Sequence, residues 1–416
     1  MCSRRSGVSL NALDLPKAVV QCYAEHGITE LFPWQAECLR LPGVLSTSRN
    51  VRNLVYSAPT SAGKTLVAEL IVLSRILAKK RKALFIFPYI AVAREKMLQV
   101  QVIFRQVGVR VEGFFGTQNP PGGIHSWDVA MCTIEKANGL LIRLLEDGHI
   151  NKIGTVVVDE LHAVGDRNGR GAVLELLLTK LRFLCSSADL ECQLIGMSAT
   201  LPNVALLAGW LDAQMLLTDF RPVPLTQSLA LASTGRLTDE HLRAARQLPP
   251  QLLQLPKDED HVVGLCLETV ICRQGVLLFC STKQWCENLA LTIAQGFKNF
   301  MPCEAVLRTE LEARQTFVAD YLRRFPFQQK DAVLARSLPY GVCFHHAGLT
   351  MEERQGLEDG FRSGVLRVIV ATSTLSSGVN LPARRVLIRS PWPHLTASLY
   401  HQMVGRAGRT GIDSEG

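Results

Sequence analysis

At 416 residues, 47% of them apolar and none in a low-complexity tract, the chain can fill two ordinary cores and is neither disordered nor fibrous in composition. A net charge of +8, from 45 Lys and Arg against 37 Asp and Glu, suits a polyanionic partner without identifying one. The 12 cysteines show no C-x-x-C pair or zinc spacing, no signal-peptide core is present, and no apolar run approaches the ~20 residues of a membrane span, so an intracellular, soluble protein is expected.

The first predicted helix covers residues 15–26 and stops at Gly27. Gln35 follows. Its amide can meet both a donor and an acceptor on adenine's edge, although a surface-helix glutamine fits the same spacing. Residues 53–69, NLVYSAPTSAGKTLVAE, run from an apolar strand through a small-residue loop into a helix. That is the geometry that holds a nucleoside triphosphate. The loop of Ala58, Pro59, Thr60, Ser61, Ala62 and Gly63 would close around the phosphates and offer them the backbone N–H groups of its residues other than the proline. Lys64 would neutralise the β- and γ-oxygens, and Thr65 would ligate Mg²⁺. Ala58 stands where the usual pattern has glycine, and taken alone the stretch also fits an ordinary strand–turn–helix connection.

Strands and helices then alternate. Strands are predicted at 82–87, ending in Pro88, and at 109–116, 128–132, 155–158 and 194–196, with a helix over 90–104 that carries Arg94 and Lys96. The β-branched run 155–158 marks a strand buried on both faces of a parallel sheet. The order implies an α/β, doubly wound sheet with ligands gathered at the strands' C-terminal ends. Two prolines, Pro222 and Pro224, suggest a linker over 218–226. The domains expected are a helical lead-in at 1–30, a first domain at 31–217 and a second at 227–416. In the second half strands are predicted at 275–279, 341–345, 366–371 and 385–389, and residues 296–338 are mostly helical in pattern. The halves share an element order, but no repeat is visible in the residues.

Asp159 and Glu160 follow the β-branched run directly. Phosphoryl transfer to water needs one carboxylate for Mg²⁺ and another to orient the water, and the two residues suit those roles in that order. In the stretch 402–409, QMVGRAGR, Arg406 and Arg409 lie three apart with glycines between and beside them. Such arginines can stabilise charge developing on a γ-phosphate, and a basic surface turn is the bland alternative. Because they lie in the other half, they would complete the site only when the two domains close.

In this order, phosphate loop, DELH, SAT, GVNLPAR and QMVGRAGR resemble a superfamily-two helicase core, two tandem RecA-like domains with the ATP site in the cleft between them. More narrowly, YSAPTSAGKTLVAEL, VVVDELHAVGD, MSATLPN, TDFRPVPL, FHHAGLTMEER and ATSTLSSGVNLPARR are similar to the helicase-like region of the DNA polymerase theta family. The related polymerase-theta-like DNA helicases are the alternative: Ala62 leans away from them, Tyr89 and Ile90 towards them. The resemblance runs from about residue 27 to 416 and implies a nuclear, ATP- and Mg²⁺-dependent DNA helicase acting in repair on single-stranded or partly duplex DNA. An RNA helicase of the same superfamily remains open, and so does a clamp without turnover, against which the intact Lys64, Asp159, Glu160 and Arg409 set speaks.

The resemblance also implies residue roles. Gln35 would meet adenine, and Lys64, Thr65, Asp159 and Glu160 would serve phosphate, metal and water. His162 with Ser198, Ala199 and Thr200 would couple ATP state to domain motion, while Gly378, Asn380, Gln402, Arg406 and Arg409 would complete the site. Nucleic-acid contacts would fall on Pro88, Arg94, Thr133, Lys136, Ser281, Thr282, Lys283, Thr372 and Thr374, small hydroxyls and cations that suit phosphate more than base edges. The turn 165–171 is a residue longer than the family's, and the winged-helix, ratchet-helix and polymerase domains that can follow lie outside these residues. Strand separation and processive movement therefore stay open, even with ATP hydrolysis intact.

Overall fold

The structure, a computed structural model, describes residues 7–46, 51–117, 120–166, 169–187, 190–199, 203–231, 234, 236–239, 243–253, 255–256, 258–300, 311–325, 331–375, 381, 383–389, 395–408 and 413–416. The chain divides into two compact units, Met1–Phe220 and Arg221–Gly416.

In the first unit a short antiparallel pair, β1 (Val8–Ser9) and β2 (Glu30–Leu31), brackets α1 (Lys17–Glu25), and α2 (Pro33–Arg40) leads towards the main sheet. That sheet is built from β3 (Asn53–Ser57), β4 (Lys82–Phe87), β5 (Val111–Phe114), β6 (Val129–Thr133), β7 (Ile153–Val158), β8 (Gln193–Ser198) and β9 (Ala213–Leu217). Its spatial order is β5-β6-β4-β7-β8-β3-β9, every pair parallel. The connecting helices are α3 (Lys64–Lys79), α4 (Ile90–Arg105), α5 (Ile134–Glu146), α6 (Arg170–Ser186) and α7 (Val204–Trp210).

The alternation of side chains along a strand explains the two layers. Leu54, Tyr56, Phe85, Phe87 and Val157 pack into one core with α1 to α4, whereas Val55, Leu84, Ile86, Val156 and Val158 pack into another with α5 to α7. Each such fully buried side chain contributes ~1.5–3 kcal/mol. The register then aligns the strand ends, with Ser57 opposite Ser198, Val158 opposite Ile86, and Phe87 opposite Thr133. The loops after β3, β4, β6, β7 and β8 therefore emerge along one edge.

The second unit begins with an antiparallel ribbon, β10 (Leu229–Leu231), β11 (Arg236–Thr238) and β12 (Ala244–Gln247), which the sequence does not announce. After α8 (Pro250–Leu253) and α9 (Val262–Ile271) come β13 (Val276–Phe279), α10 (Lys283–Phe300), α11 (Leu311–Arg324), α12 (Asp331–Ser337), β14 (Val342–His345), α13 (Met351–Arg362), β15 (Val368–Ala371), β16 (Arg385–Ile388) and α14 (Ala397–Val404). The sheet order is β14-β15-β13-β16, all parallel.

This order repeats part of the first unit. β4, β5, β6 and β7 lie in space as β5-β6-β4-β7, and β13 to β16 take the same places in the same chain order. β13 thus corresponds to β4, β15 to β6 and β16 to β7, a repeat carried by topology without matching residues. Among the described residues no helix is long and apolar enough to cross a membrane. Of the described cysteines, Cys22, Cys38, Cys132, Cys266, Cys280, Cys286 and Cys343 are buried.

Candidate active site

β3 carries the chain, buried from Leu54 onward, to the sheet edge, where Ala58 donates its backbone N–H to Ser198 O at 3.2 Å. Ala58 is fully buried and is not among the residues with positive φ, so this position does not need glycine. Gly63 does: its φ is +84°, and a Cβ there would lie 2.6 Å from Gln35 Nε2. α3 starts at the next residue, which aims its first N–H groups at the loop's concavity. The Tyr56 hydroxyl donates to Lys64 O at 2.8 Å and fastens that start to β3.

Lys64 Nζ donates to Ala58 O at 2.9 Å and Pro59 O at 3.1 Å, so the ammonium lies inside the curl of the loop. Burial pulls its pKa below the usual range, and the nearby carboxylates of Glu160 and Asp159 oppose that shift. Asp159 is pushed up to about 7 by burial and by Glu160, with Lys64 and Lys96 acting in the other direction. Lys64, Asp159, Glu160 and Lys96 thus form one electrostatic cluster. Lys96 enters it from α4, a role that no local pattern marks.

Glu160 takes a left-handed conformation, φ +52°, uncommon for a residue with a side chain. Three contacts hold it. Its N–H donates to Asp159 Oδ1 at 2.9 Å, its carbonyl accepts from Ala163 N at 2.8 Å, and its Oε2 lies 3.3 Å from His162 Nδ1. The same His162 nitrogen is 3.0 Å from Ser198 Oγ. Gly196 on β8 leaves room for the turn, since a Cβ there would meet Leu161 at 2.6 Å. Ser57 Oγ donates to Ala199 O at 2.9 Å and closes the connection from phosphate loop to β8. Thr200 lies outside the described residues.

Gln35 is 2% exposed, and both ends of its amide are engaged by protein. Oε1 accepts from Phe32 N at 2.8 Å, and Nε2 donates to Gly63 O at 2.9 Å. In this arrangement the glutamine braces the phosphate loop against the start of α2, a role its sequence position does not reveal.

In the second unit Gln402 and Arg406 are half-buried at and just after the end of α14. The Arg406 carbonyl accepts from Ala383 N at 2.9 Å, and Gly408 N donates to Ala383 O at 2.7 Å, which ties this segment to the chain ahead of β16. Gly378, Asn380 and Arg409 lie outside the described residues.

The expected nucleic-acid residues separate by exposure. Arg94, Ser281, Thr282, Lys283 and Thr374 are exposed and Lys136 is half-buried, but Pro88, Thr133 and Thr372 are buried. Pro88 instead offers its carbonyl to Arg170 Nη1 at 3.3 Å, Thr133 takes the N-cap position of α5 without a side-chain capping bond, and Thr372 Oγ1 is 3.0 Å from Thr374 Oγ1. Arg170 also pairs with Glu135 Oε1 at 2.9 Å and so links the ends of β4 and β6.

Two family models match the chain, the DEAD/DEAH box helicase over residues 37–207 and the helicase conserved C-terminal domain over residues 303–411. DNA polymerase theta of Mus musculus is 48% identical over 424 aligned residues, covering 97% of this chain and 16% of that protein. Helicase POLQ-like of Homo sapiens is 39% identical, covering 97% of this chain and 36% of that protein. ATP-dependent DNA helicase Hel308 of Pyrococcus horikoshii is 31% identical, covering 98% and 53% respectively. The chain therefore spans between about a sixth and about half the length of these relatives. With one helicase domain matched in each compact α/β unit, the chain belongs to the superfamily-two helicases and carries the two RecA-like domains of their ATP-dependent core.

Proposed function

We propose that the chain is the ATP-hydrolysing core of a DNA helicase or translocase whose turnover is stimulated by single-stranded DNA. The observation that carries this reading is the cluster at the first unit's sheet edge: Lys64 within the phosphate loop, Asp159 and Glu160 beyond β7, and His162 joining Glu160 to Ser198. A clamp without turnover has no use for a glutamate held in a left-handed turn beside that lysine.

The ATP-binding half is residues 31–217 and the second half residues 227–416, joined through 218–226. Lys64 binds the β- and γ-phosphates and exchanges its two loop carbonyls for phosphate oxygens. Glu160 orients the attacking water and accepts its proton, and Gln402, Arg406 and Arg409 meet the γ-phosphate as charge develops. Thr65 and Asp159 would hold Mg²⁺, whose charge neutralises phosphate oxygens. The donor set fits such a cation, because the Asp159 carboxyl is raised by burial and by a second carboxylate that a divalent ion would offset. The exposed Arg94, Ser281, Thr282 and Lys283 carry the strand's phosphates. A nuclear role in repair follows from the resemblance to the polymerase theta family.

ATP turnover measured with matched single-stranded DNA and RNA tests this reading. DNA should stimulate turnover, and its affinity should fall steeply between 50 and 200 mM salt as phosphate contacts release counterions. A rate indifferent to DNA, or stimulation by RNA alone, would overturn it.

A further inference from the structure

Two exposed aromatic rings stand at corresponding places in the two units. Among the described aromatic residues only Tyr89, Phe183 and Trp285 are strongly exposed. Phe183 lies in the last turn of α6 and has no cation against it among the described residues. Tyr89 follows the end of β4 by two residues and is 37% exposed. Trp285 lies in the first turn of α10, beyond the end of β13, and is 46% exposed. β4 and β13 are the strands that correspond in the repeated order.

Each ring has an arginine over it. The Arg170 guanidinium lies 5.9 Å from the Tyr89 ring centre, and that of Arg389 lies 5.8 Å from Trp285. Neither arginine is a loose surface side chain. Arg170 is held by Pro88 O and Glu135. Arg389 follows β16, donates its backbone N–H to Phe279 O at 3.1 Å, and pairs through Nε with Asp260 Oδ2 at 2.5 Å. Trp285 N donates to Thr282 Oγ1 at 3.2 Å, which fixes the indole's helix to the loop holding Ser281, Thr282 and Lys283.

A singly exposed ring needs no explanation by itself; the cation held against each of these two does. One planar cation already lies against the indole, in the geometry of a cation–π contact, and nearly half of the indole stays open. A base is the planar group that would complete such a stack, since every base has a π-face whatever its sequence. We propose that Trp285, with Tyr89 as its counterpart in the first unit, is a stacking platform for a base of bound single-stranded DNA, backed by Arg389 and Arg170. Stacking here presupposes the phosphate track proposed above, to which it adds a contact with the bases. The track fixes the strand through hydroxyls and cations, and the rings give a sequence-tolerant grip on bases.

The test compares a 12-nucleotide oligothymidine with an abasic deoxyribose-phosphate strand of the same length, by fluorescence anisotropy. Wild type should bind the thymidine strand more tightly than the abasic one. Trp285→Ala should lose roughly 5- to 150-fold on oligothymidine and change little on the abasic strand, while Trp285→Phe keeps most of the affinity. Tyr89→Ala should show the same base-dependent loss. An equal loss on both strands, or none on oligothymidine, would overturn stacking while leaving the track standing. Failure of wild type to bind either strand would remove the track, and stacking with it.

Discussion

His162→Ala isolates the connection between the catalytic turn and β8. The imidazole approaches Ser198 Oγ at 3.0 Å and Glu160 Oε2 at 3.3 Å through the same nitrogen, Nδ1, so the two contacts do not add. The hydrogen bond with the Ser198 hydroxyl contributes ~0.5–1.5 kcal/mol. The left-handed backbone at Glu160 costs ~1–3 kcal/mol and persists only while its surroundings hold it. Removing His162 therefore lets the turn relax, and with ~1.4 kcal/mol per tenfold in rate, kcat should fall about 10- to 100-fold. ATP affinity should hold, because Lys64 and the loop make no contact with the imidazole among the described hydrogen bonds. His162→Asn should recover part of the rate, since its amide can place a donor near the position of Nδ1. Steady-state turnover with saturating oligothymidine and nucleotide binding by a fluorescent ATP analogue give both quantities. A kcat within twofold of wild type, or a parallel loss of ATP binding, would refute the positioning role.

Gln35→Ala leaves the partly buried Phe32 N–H and Gly63 carbonyl without their partner, a cost of about 2–3 kcal/mol. The first unit's melting temperature should drop by roughly 4–15 °C, with nucleotide binding weakened, and an unchanged melting curve would exclude the brace. Glu69, on the helix of the phosphate loop, accepts from the Tyr23 hydroxyl at 3.0 Å, and burial raises its pKa against Lys96 and that hydrogen bond. Its folded state therefore holds the proton more tightly than the unfolded chain does. That contribution to stability is complete below the ordinary carboxylate pKa and is lost as pH rises through the raised value. Glu69→Gln should abolish this part of the pH dependence in urea titrations, and an unaltered slope would contradict the assignment. Arg170→Ala breaks a half-exposed pair with Glu135 worth ~0–1 kcal/mol, so melting should barely move. Affinity for oligothymidine should nonetheless fall several-fold as Tyr89 loses its backing, and wild-type affinity would count against the backing role.

The residues disclosed most of the framework because buried parallel strands write themselves as continuous apolar runs. All of β7 is buried, and its β-branched residues pointed directly to Asp159 and Glu160 at its end. The strand, loop and helix at 53–69 were legible for a similar reason, the small residues and Lys-Thr pair being local. The ribbon β10–β12 was not. Its strands are three or four residues long, and Leu229 and Leu231 remain exposed, so no alternating run of useful length exists. Gln35 shows another limit. Its spacing suggests a group offered to a base, whereas its amide is bonded at both ends to backbone atoms 3 and 28 residues away. Lys96 and Arg170 act through space on elements far off in the chain, so no window of sequence carries their role. The repeat of strand order is likewise a property of pairing and not of residue identity.

Glu160→Gln most directly tests the claim that this cluster hydrolyses ATP. The amide keeps the size of the side chain but cannot accept the water's proton. ATP turnover with saturating oligothymidine should fall by ~10² or more, while binding of the ATP analogue stays within a few-fold of wild type. Turnover at the wild-type rate would place the general base elsewhere and contradict the account.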